Sequence, residues 1–292
     1  MPKKAGFLNF ISSLDDDDDS SGFDFASFAW SASHGAIDFE TGSFAKGGKP
    51  GAPGGGGGGG TPTPPPPTDT YISGTAIADS AEYNVKVIFQ GTWDPTLKQA
   101  FIDSANEISK YIKGDVQDIL LNGTLVDDIQ ISASLVNIDG TGGILGQAGP
   151  DYIRTSNALP ISATMQFDVA DASYFDSLGL FNDIVLHEML HSVGVGSIWS
   201  YKHLVSGGTF LGNQANTAYH NEVLGSSGGA PVETGGGPGT AGSHWSEAAF
   251  NNELMTGWIN NDNYLSYMTV ASLGDLGYSI VDSGGYTPPG WI

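Results

Sequence analysis

Apolar and polar residues alternate in three short stretches of the chain, and this alternation predicts β-strands. The stretches are residues 83–89, 129–136 and 161–169. Successive side chains of a strand point to opposite faces, so each stretch can bury one face and leave the other polar. We expect these stretches to form the sheet of a folded domain.

Between the first two predicted strands, apolar residues recur at helical spacing from Leu97 to Ile112. Asp94 and Pro95 are typical of the N-cap and the first position of a helix, and Gly114 is a typical stop. Two glycine-rich segments, residues 140–149 and 206–242, are predicted to be irregular. The order of elements, strand, helix, strand, strand and helix, predicts an α/β layer with a mixed sheet.

The first 70 residues have the composition of a tail. They contain an aspartate run at 15–19, a glycine run at 54–60 and a proline run at 64–67. Such stretches cannot bury enough apolar surface to offset the entropy of ordering them. We therefore predict a disordered, acidic, Gly/Pro-rich tail over 1–70 and a folded domain over 71–292. The N-terminal part of this domain ends near 194, and its C-terminal part covers 195–292.

The charge balance restricts the partners. The formal net charge is −22, and the chain has only ten basic residues. This argues against binding to nucleic acid, whose phosphates need basic side chains, and against docking on an anionic membrane surface. The chain has no stretch near the roughly 20 apolar residues of a membrane span, and it has no cysteine. Disulfides, thiolate metal sites and a cysteine nucleophile are therefore excluded.

The first residues resemble a conventional signal peptide only in part. Two lysines precede a short apolar stretch, but this stretch runs directly into the aspartate run without a small-residue cleavage site. We expect an extracellular protein that is exported by a route without a conventional signal peptide.

Residues 183–193 are predicted to form a helix that is apolar on most of its circumference. Its polar strip consists of His187, Glu188 and His191. Residues at i and i+4 share a helix face, so both imidazoles can reach one cation. Catalytic zinc accepts such ligands, and the adjacent carboxylate can take a proton from the water that zinc activates. In a buried helix, two imidazoles and a carboxylate without such a role would be costly.

A third ligand must come from farther along the chain. A compact zinc motif would place a histidine at 197, but that residue is Ser197. The remaining candidates are His34, His203, His220 and His244. His34 lies in the predicted tail, and His203 and His220 lie in polar surroundings. We favour His244, because Met255 follows it at a distance that suits a methionine turn beneath a zinc site.

Together these segments resemble the leishmanolysin family of metzincins. The motifs that carry the resemblance are HEMLHSVG at 187–194, GSHW at 242–245 and ELMTG at 253–257, supported by GTGGILGQAGP at 140–150, MQFD at 165–168 and ASLGDLGY at 271–278. The resemblance extends from about residue 83 to residue 288. It implies His187, His191 and His244 as zinc ligands, Glu188 as general base and Met255 as the turn methionine.

The resemblance also implies a fold and an activity. The fold would be α+β and metzincin-like: a mixed twisted sheet packed on the zinc-binding helix, followed by a mostly irregular and helical C-terminal subdomain. The activity would be hydrolysis of internal peptide bonds in protein or peptide substrates, with Zn²⁺ as cofactor. Substrate would extend along an edge strand, for which residues 161–167 are the expected segment. A cysteine switch of the kind that eukaryotic members use is impossible here, since the chain has no cysteine.

Three other interpretations remain open. Glu253 could replace His244 as the third ligand, as in gluzincins, where an Asn-Glu pair follows the motif. The chain could also be a non-catalytic zinc-binding or adhesion module whose acidic tail is the working part. The acidic composition alone would also suit a calcium-dependent surface protein.

Overall fold

The computed structural model describes residues 23–24, 37–38, 43–44, 69–74 and 81–292. Most of the predicted tail, including the aspartate run at 15–19, lies outside the described residues. The division into a tail over 1–70 and a domain over 71–292 therefore stays a prediction.

A seven-stranded mixed sheet forms the first half of the described fold. Its strands are β2 Ile37–Asp38, β3 Ser43–Phe44, β4 Asp69–Ile72, β5 Val85–Gln90, β8 Ile129–Val136, β9 Gly146–Ile153 and β10 Pro160–Asp168. Their order in the sheet is β2-β3-β9-β10-β8-β5-β4. Strands β5, β8 and β10 run parallel to one another, whereas β9 is antiparallel to β10 and β4 is antiparallel to β5.

Six short strands lie outside this sheet and form three two-stranded ladders. Two ladders are local hairpins, and the third joins a segment near the N-terminus to the C-terminal part. The bounds are β1 Phe23–Asp24 with β13 Trp258–Ile259, β6 Ile119–Leu121 with β7 Thr124–Val126, and β11 Val205–Ser206 with β12 Thr209–Phe210.

Six helices are present in the part of the chain that the structure describes, and the fold is mixed α+β. Their bounds are α1 Pro95–Tyr111, α2 Val169–Leu178, α3 Phe181–Ser192, α4 Asn213–Glu222, α5 Glu247–Phe250 and α6 Tyr267–Leu276. None of the helices in the described ranges has the length and apolar composition needed to cross a bilayer.

The predicted first helix is confirmed, with its end three residues before Gly114. The side chain of Asp94 caps α1 by accepting the backbone N–H of Thr96 at 2.9 Å, and Pro95 is the first helical residue. The apolar face of α1 is buried against β5 and α3. Phe101 on this face makes edge-to-face contacts with Phe167 of β10 and Phe181 of α3, at centroid distances of 5.2 and 6.4 Å. This aromatic cluster joins the sheet to helix α3.

The three predicted strands are present, but the expected edge role of residues 161–167 is wrong. Strand β10 is interior, since it pairs in parallel with β8 and antiparallel with β9. On this side β9 lies between β10 and β3, and among the described residues it shares one pair with β3, Ser43 with Tyr152. Residues 146–149, predicted to be part of a loop, form the first half of β9. Alternation shows which face of a strand is buried, but it carries no information about which strands lie beside it.

The second half of the fold is mostly irregular and helical, as expected. A buried aromatic cluster holds it together: Trp199 lies 4.5 Å from Trp245 and 4.9 Å from Phe210 between ring centroids. The segment 206–242 is less irregular than predicted, because it contains α4. The N-terminal N–H groups of α4 at Gln214 and Ala215 donate to the carboxylate of Asp275, which lies about 60 residues away in the sequence.

Candidate metal centre

Helix α3 brings His187 and His191 together on one face. Their Nε2 atoms lie 3.0 Å apart, and both side chains are buried. The helix is buried on nearly all sides, between α1, β9 and β10. The i, i+4 spacing therefore presents both rings on the same side, as the sequence predicts.

The chain turns sharply after α3, and two glycines with positive φ make this turn. Gly194 has φ +112° and Gly196 has φ +72°. A Cβ atom on Gly196 would lie 2.0 Å from the backbone oxygen of Ser243 and 3.0 Å from the His191 ring. Glycine at 196 therefore allows the segment that carries His244 to approach the end of α3. The local sequence pattern does not predict this close approach at Gly196.

His244 completes a group of three imidazoles. Its Nε2 atom lies 3.1 Å from that of His191 and 3.2 Å from that of His187, and its side chain is fully buried. The three residues form a group that can hold a metal ion. For comparison, nitrogens bound tetrahedrally to zinc at about 2.05 Å are about 3.3 Å apart. The observed spacing suits three ligands of one zinc ion.

The other ring nitrogen of each histidine contacts a backbone carbonyl oxygen. His187 Nδ1 lies 2.7 Å from Leu254 O, His191 Nδ1 lies 2.8 Å from Val195 O, and His244 Nδ1 lies 3.2 Å from Thr240 O. A carbonyl only accepts, so each Nδ1 carries the proton and each neutral ring directs an Nε2 lone pair toward the other two. Three lone pairs that face one another repel unless a cation lies between them, and such Nδ1–carbonyl bonds are typical of ligand histidines.

Burial favours the neutral form of all three rings. It lowers the pKa of His191 to about 4 and holds the pKa values of His187 and His244 well below the ordinary value. For His187 and His244, charge on the neighbouring imidazoles adds to this lowering. Zinc binds neutral imidazole, so the protonation state at neutral pH suits the metal.

Glu188 lies on α3 between the two histidines in sequence, and its carboxylate is fully buried. Neither carboxylate oxygen has a hydrogen-bond partner among the residues that the structure describes. Burial raises the pKa of this carboxyl to about 8. A buried carboxylate without partners is costly, and a nearby cation would favour its charged form. The donor set and Glu188 together fit a zinc ion.

Strand β9 begins against Glu188. A Cβ atom on Gly146 would lie 3.1 Å from Cγ of Glu188 and 3.1 Å from the ring of Phe167. The absence of a side chain at 146 therefore lets β9 pack directly on the carboxyl side chain. The glycine-rich composition predicts a loop at Gly146, and this contact is seen only in the tertiary structure.

Met255 is fully buried in the loop that precedes β13. The loop contacts the histidines through its backbone: the carbonyl of Leu254 accepts the Nδ1–H of His187, and the carbonyl of Met255 accepts the N–H of Trp245 at 3.0 Å, next to His244. Met255 thus lies in a segment whose backbone is hydrogen-bonded to His187 and to Trp245, the residue after His244.

A comparison with protein families places these residues in a known group. The family model of leishmanolysin (Peptidase_M8) matches residues 155–284, which include helix α3, His244 and Met255. This segment is similar to the leishmanolysin family. The resemblance in the sequence motifs is thereby confirmed. Leishmanolysin-family proteins are zinc-dependent metallopeptidases. No curated protein matches the sequence.

The other candidate histidines are not part of the three-histidine group. His203 has φ +57° in the turn after Trp199, and His220 lies on α4, where its Nε2 contacts the backbone oxygen of Gly228 at 2.7 Å. Neither belongs to the group of three imidazoles. His34 lies outside the described residues.

Glu253, the alternative third ligand, has a different environment. Its carboxylate is fully buried and accepts hydrogen bonds from Met255, Ser266 and Thr269. It does not belong to the group formed by the three histidines. The geometry therefore favours His244 over Glu253 as the third member of the group that can hold a metal ion.

A separate group of three acidic residues lies near the start of β8, and no sequence motif predicts it. It consists of Asp115, Asp127 and Asp128. The buried Asp128 accepts the backbone N–H groups of Asn84 at 2.6 Å and Val116 at 2.7 Å, so it ties three segments together. Burial raises its pKa to about 7, and the backbone hydrogen bonds oppose that rise. Both carboxylate oxygens of Asp128 are thus used in hydrogen bonds to backbone N–H groups.

Proposed function

We propose that the chain is a zinc-dependent endopeptidase in which His187, His191 and His244 hold the metal and Glu188 is the general base. One observation carries the proposal: three buried imidazole nitrogens converge within 3.0–3.2 Å, and the helix that supplies two of them also carries Glu188, a buried carboxylate with no hydrogen-bond partner among the described residues. The match of residues 155–284 to the leishmanolysin family, whose members are zinc metallopeptidases, supports it.

The chemistry follows from the groups at this site. When bound, zinc supplies Lewis acidity, which polarises a scissile carbonyl and lowers the pKa of a water molecule toward neutrality. Glu188 accepts a proton from the attacking water and donates it to the leaving amine. The backbone carbonyls of Leu254, Val195 and Thr240 hold the imidazoles in the tautomer that ligates through Nε2.

The outer edge of β9 is the surface that suits an extended peptide. Among the described residues, the only pairing partner on this edge is Ser43, opposite Tyr152. The strand starts at Gly146, which contacts Glu188, so a peptide that adds to the edge passes close to the general base. Main-chain pairing of this kind provides affinity with a loose sequence preference. We therefore assign to β9 the edge role that the sequence reasoning gave to residues 161–167.

The experiment that tests the proposal combines zinc content with hydrolysis of casein. Both are measured for the wild-type chain and for Glu188→Ala. We expect one zinc per chain in both proteins and hydrolysis only in the wild type, because the variant retains all three ligands and lacks the base. A variant that still hydrolyses casein would refute the role of Glu188. Zinc in both proteins with hydrolysis in neither, also for a chain that starts at Asp69, would favour a non-catalytic zinc-binding module.

The third ligand is tested separately with His244→Ala and Glu253→Ala. We expect His244→Ala to lose stoichiometric zinc, because only two imidazoles then remain at the site. Retention of zinc by His244→Ala together with its loss from Glu253→Ala would reverse the assignment.

A further inference from the structure

Glu253 is a fully buried carboxylate that holds two segments of the chain together. Its Oε2 accepts the backbone N–H of Met255 at 2.6 Å. Its Oε1 accepts the N–H of Ser266 at 3.1 Å and the hydroxyls of Ser266 and Thr269 at 2.7 and 2.5 Å. The two ion pairs in the described part of the chain, Lys98–Asp69 and Lys110–Glu107, do not involve it. Four donors from the protein thus compensate for the burial of Glu253.

The first segment leads to His187. Leu254 lies between Glu253 and Met255, and its carbonyl accepts the Nδ1–H of His187 at 2.7 Å. On its other side, the N–H of Leu254 donates to Tyr264 O at 2.7 Å. The hydrogen bond from Met255 N–H to the Glu253 carboxylate closes this turn, so it defines the direction of the Leu254 carbonyl and hence of the imidazole.

The second segment leads to His244. Thr269, which donates to Glu253, accepts the indole N–H of Trp245 at 2.8 Å. Trp245 follows His244 directly, and its backbone N–H donates to Met255 O at 3.0 Å. The Glu253 carboxylate is therefore linked to Trp245, the residue after His244, by two routes of two hydrogen bonds each: through Thr269 to the indole and through Met255 to the backbone N–H.

We propose that Glu253 is the positioning residue of the metal centre, which orients His187 through Leu254 and His244 through Thr269 and Trp245. This inference rests on the proposed zinc site. A purely structural role would be limited to Ser266 and Thr269 at the start of α6. The bond to Met255 N–H adds nothing to that helix cap, because Ser266 already caps α6 through its own side chain at 3.1 Å from Thr269 N.

The substitution Glu253→Gln separates these two roles. An amide has one oxygen and one NH₂ group, and the NH₂ group cannot accept. Turned toward Ser266 and Thr269, the NH₂ group would face three donors, whereas turned toward Met255 it faces one. The variant is therefore expected to retain the bonds to α6 and to lose the bond that closes the turn at Met255. We expect a zinc dissociation constant about 10–100-fold higher than that of the wild type.

The matched control is Asp128→Asn. Asp128 is also a fully buried carboxylate with backbone N–H donors, and its partners Asn84 and Val116 lie outside the metal centre. The same chemical change there is expected to lower stability without changing the zinc affinity. Zinc affinity is measured on the full chain by competition with a chromophoric chelator. The d–d absorption of the Co²⁺-substituted chain reports the geometry of the ligands independently of activity.

The results separate the possible explanations. Weaker zinc binding and an altered Co²⁺ spectrum in Glu253→Gln, with Asp128→Asn like the wild type, would support the positioning role. Equal zinc affinity in all three proteins would overturn it and leave the proposed function intact, whereas a wild type without zinc would overturn both. Retention of zinc by His244→Ala and its loss from Glu253→Gln would make Glu253 a ligand and also overturn it.

A second variant covers the case in which Glu253→Gln does not fold. Thr269→Val removes one donor to Glu253 and the acceptor of the Trp245 indole while retaining the side-chain shape. We expect a smaller, several-fold rise in the zinc dissociation constant and a changed Co²⁺ spectrum. A folded Thr269→Val chain with wild-type values for both would overturn the route through Trp245.

Discussion

Replacement of Gly146 by alanine places a methyl group between strand β9 and Glu188. The new carbon would lie 3.1 Å from Cγ of Glu188 and 3.1 Å from two ring carbons of Phe167, whereas carbon atoms in contact prefer about 3.5–4.0 Å. Phe167 cannot easily move, because it is fully buried with Phe101 and Phe181 packed edge-on against it at 5.2 and 5.5 Å. Glu188 or β9 itself must therefore shift to relieve the overlap.

The size of this shift determines the expected effect. An overlap of about 0.4–0.9 Å is to be relieved, and a displacement of about 1 Å in an active site can cost on the order of 100-fold in rate. We expect kcat to fall about tenfold, which corresponds to about 1.4 kcal/mol in the activation free energy. Overpacking of this kind also lowers the free energy of unfolding by about 1–3 kcal/mol.

The assay compares steady-state peptide hydrolysis, zinc content and urea unfolding of Gly146→Ala with those of the wild type. Gly290→Ala is the control, because a Cβ atom there meets nothing within 4 Å. Zinc content should stay at the wild-type value, since no histidine is among the atoms nearest to Gly146. A variant with wild-type kcat and stability would show that β9 does not pack on Glu188 as described.

Three further predictions concern the backbone, pH and the metal. Gly196→Ala forces a side chain into a left-handed backbone conformation and toward Ser243 O. We expect the free energy of unfolding, measured with urea, to fall by more than about 2 kcal/mol and zinc binding to weaken. A variant as stable as the wild type would contradict this. The pKa of Asp128 is about 7 in the folded chain, whereas the ordinary aspartate value is 3.8. Between about pH 4 and pH 7 the folded chain therefore keeps a proton on this carboxyl that the unfolded chain has lost. The free energy of unfolding should fall as the pH rises through that window. Urea unfolding at several pH values should show a shallower fall for Asp128→Asn, and an identical slope would refute the assignment. Removal of zinc by a chelator should lower the melting temperature, and added zinc should restore it, because the three histidines face one another only in the folded state. An unchanged melting temperature would argue against a metal at the three histidines.

Local sequence patterns determined the helices and strands that surround the site. Helix α3 and the shared face of His187 and His191 follow from helical periodicity, which is a property of neighbouring residues. The capped start of α1 at Asp94 follows for the same reason. His244 was reached from its spacing to Met255 and from a family resemblance, and the structure brings it to within 3.2 Å of the other two histidines.

Only the tertiary structure decided which distant residues meet. The place of β9 beside β10, the capping of α4 by Asp275 and the hydrogen bonds from Ser266 and Thr269 to Glu253 all join segments whose contact leaves no periodic pattern. The same holds for Gly146 and Gly196, where the missing side chain is explained by Glu188 and Ser243 from other elements. Sequence periodicity reports the buried face of an element. The neighbour that covers this face is selected by packing and hydrogen bonding of the whole chain.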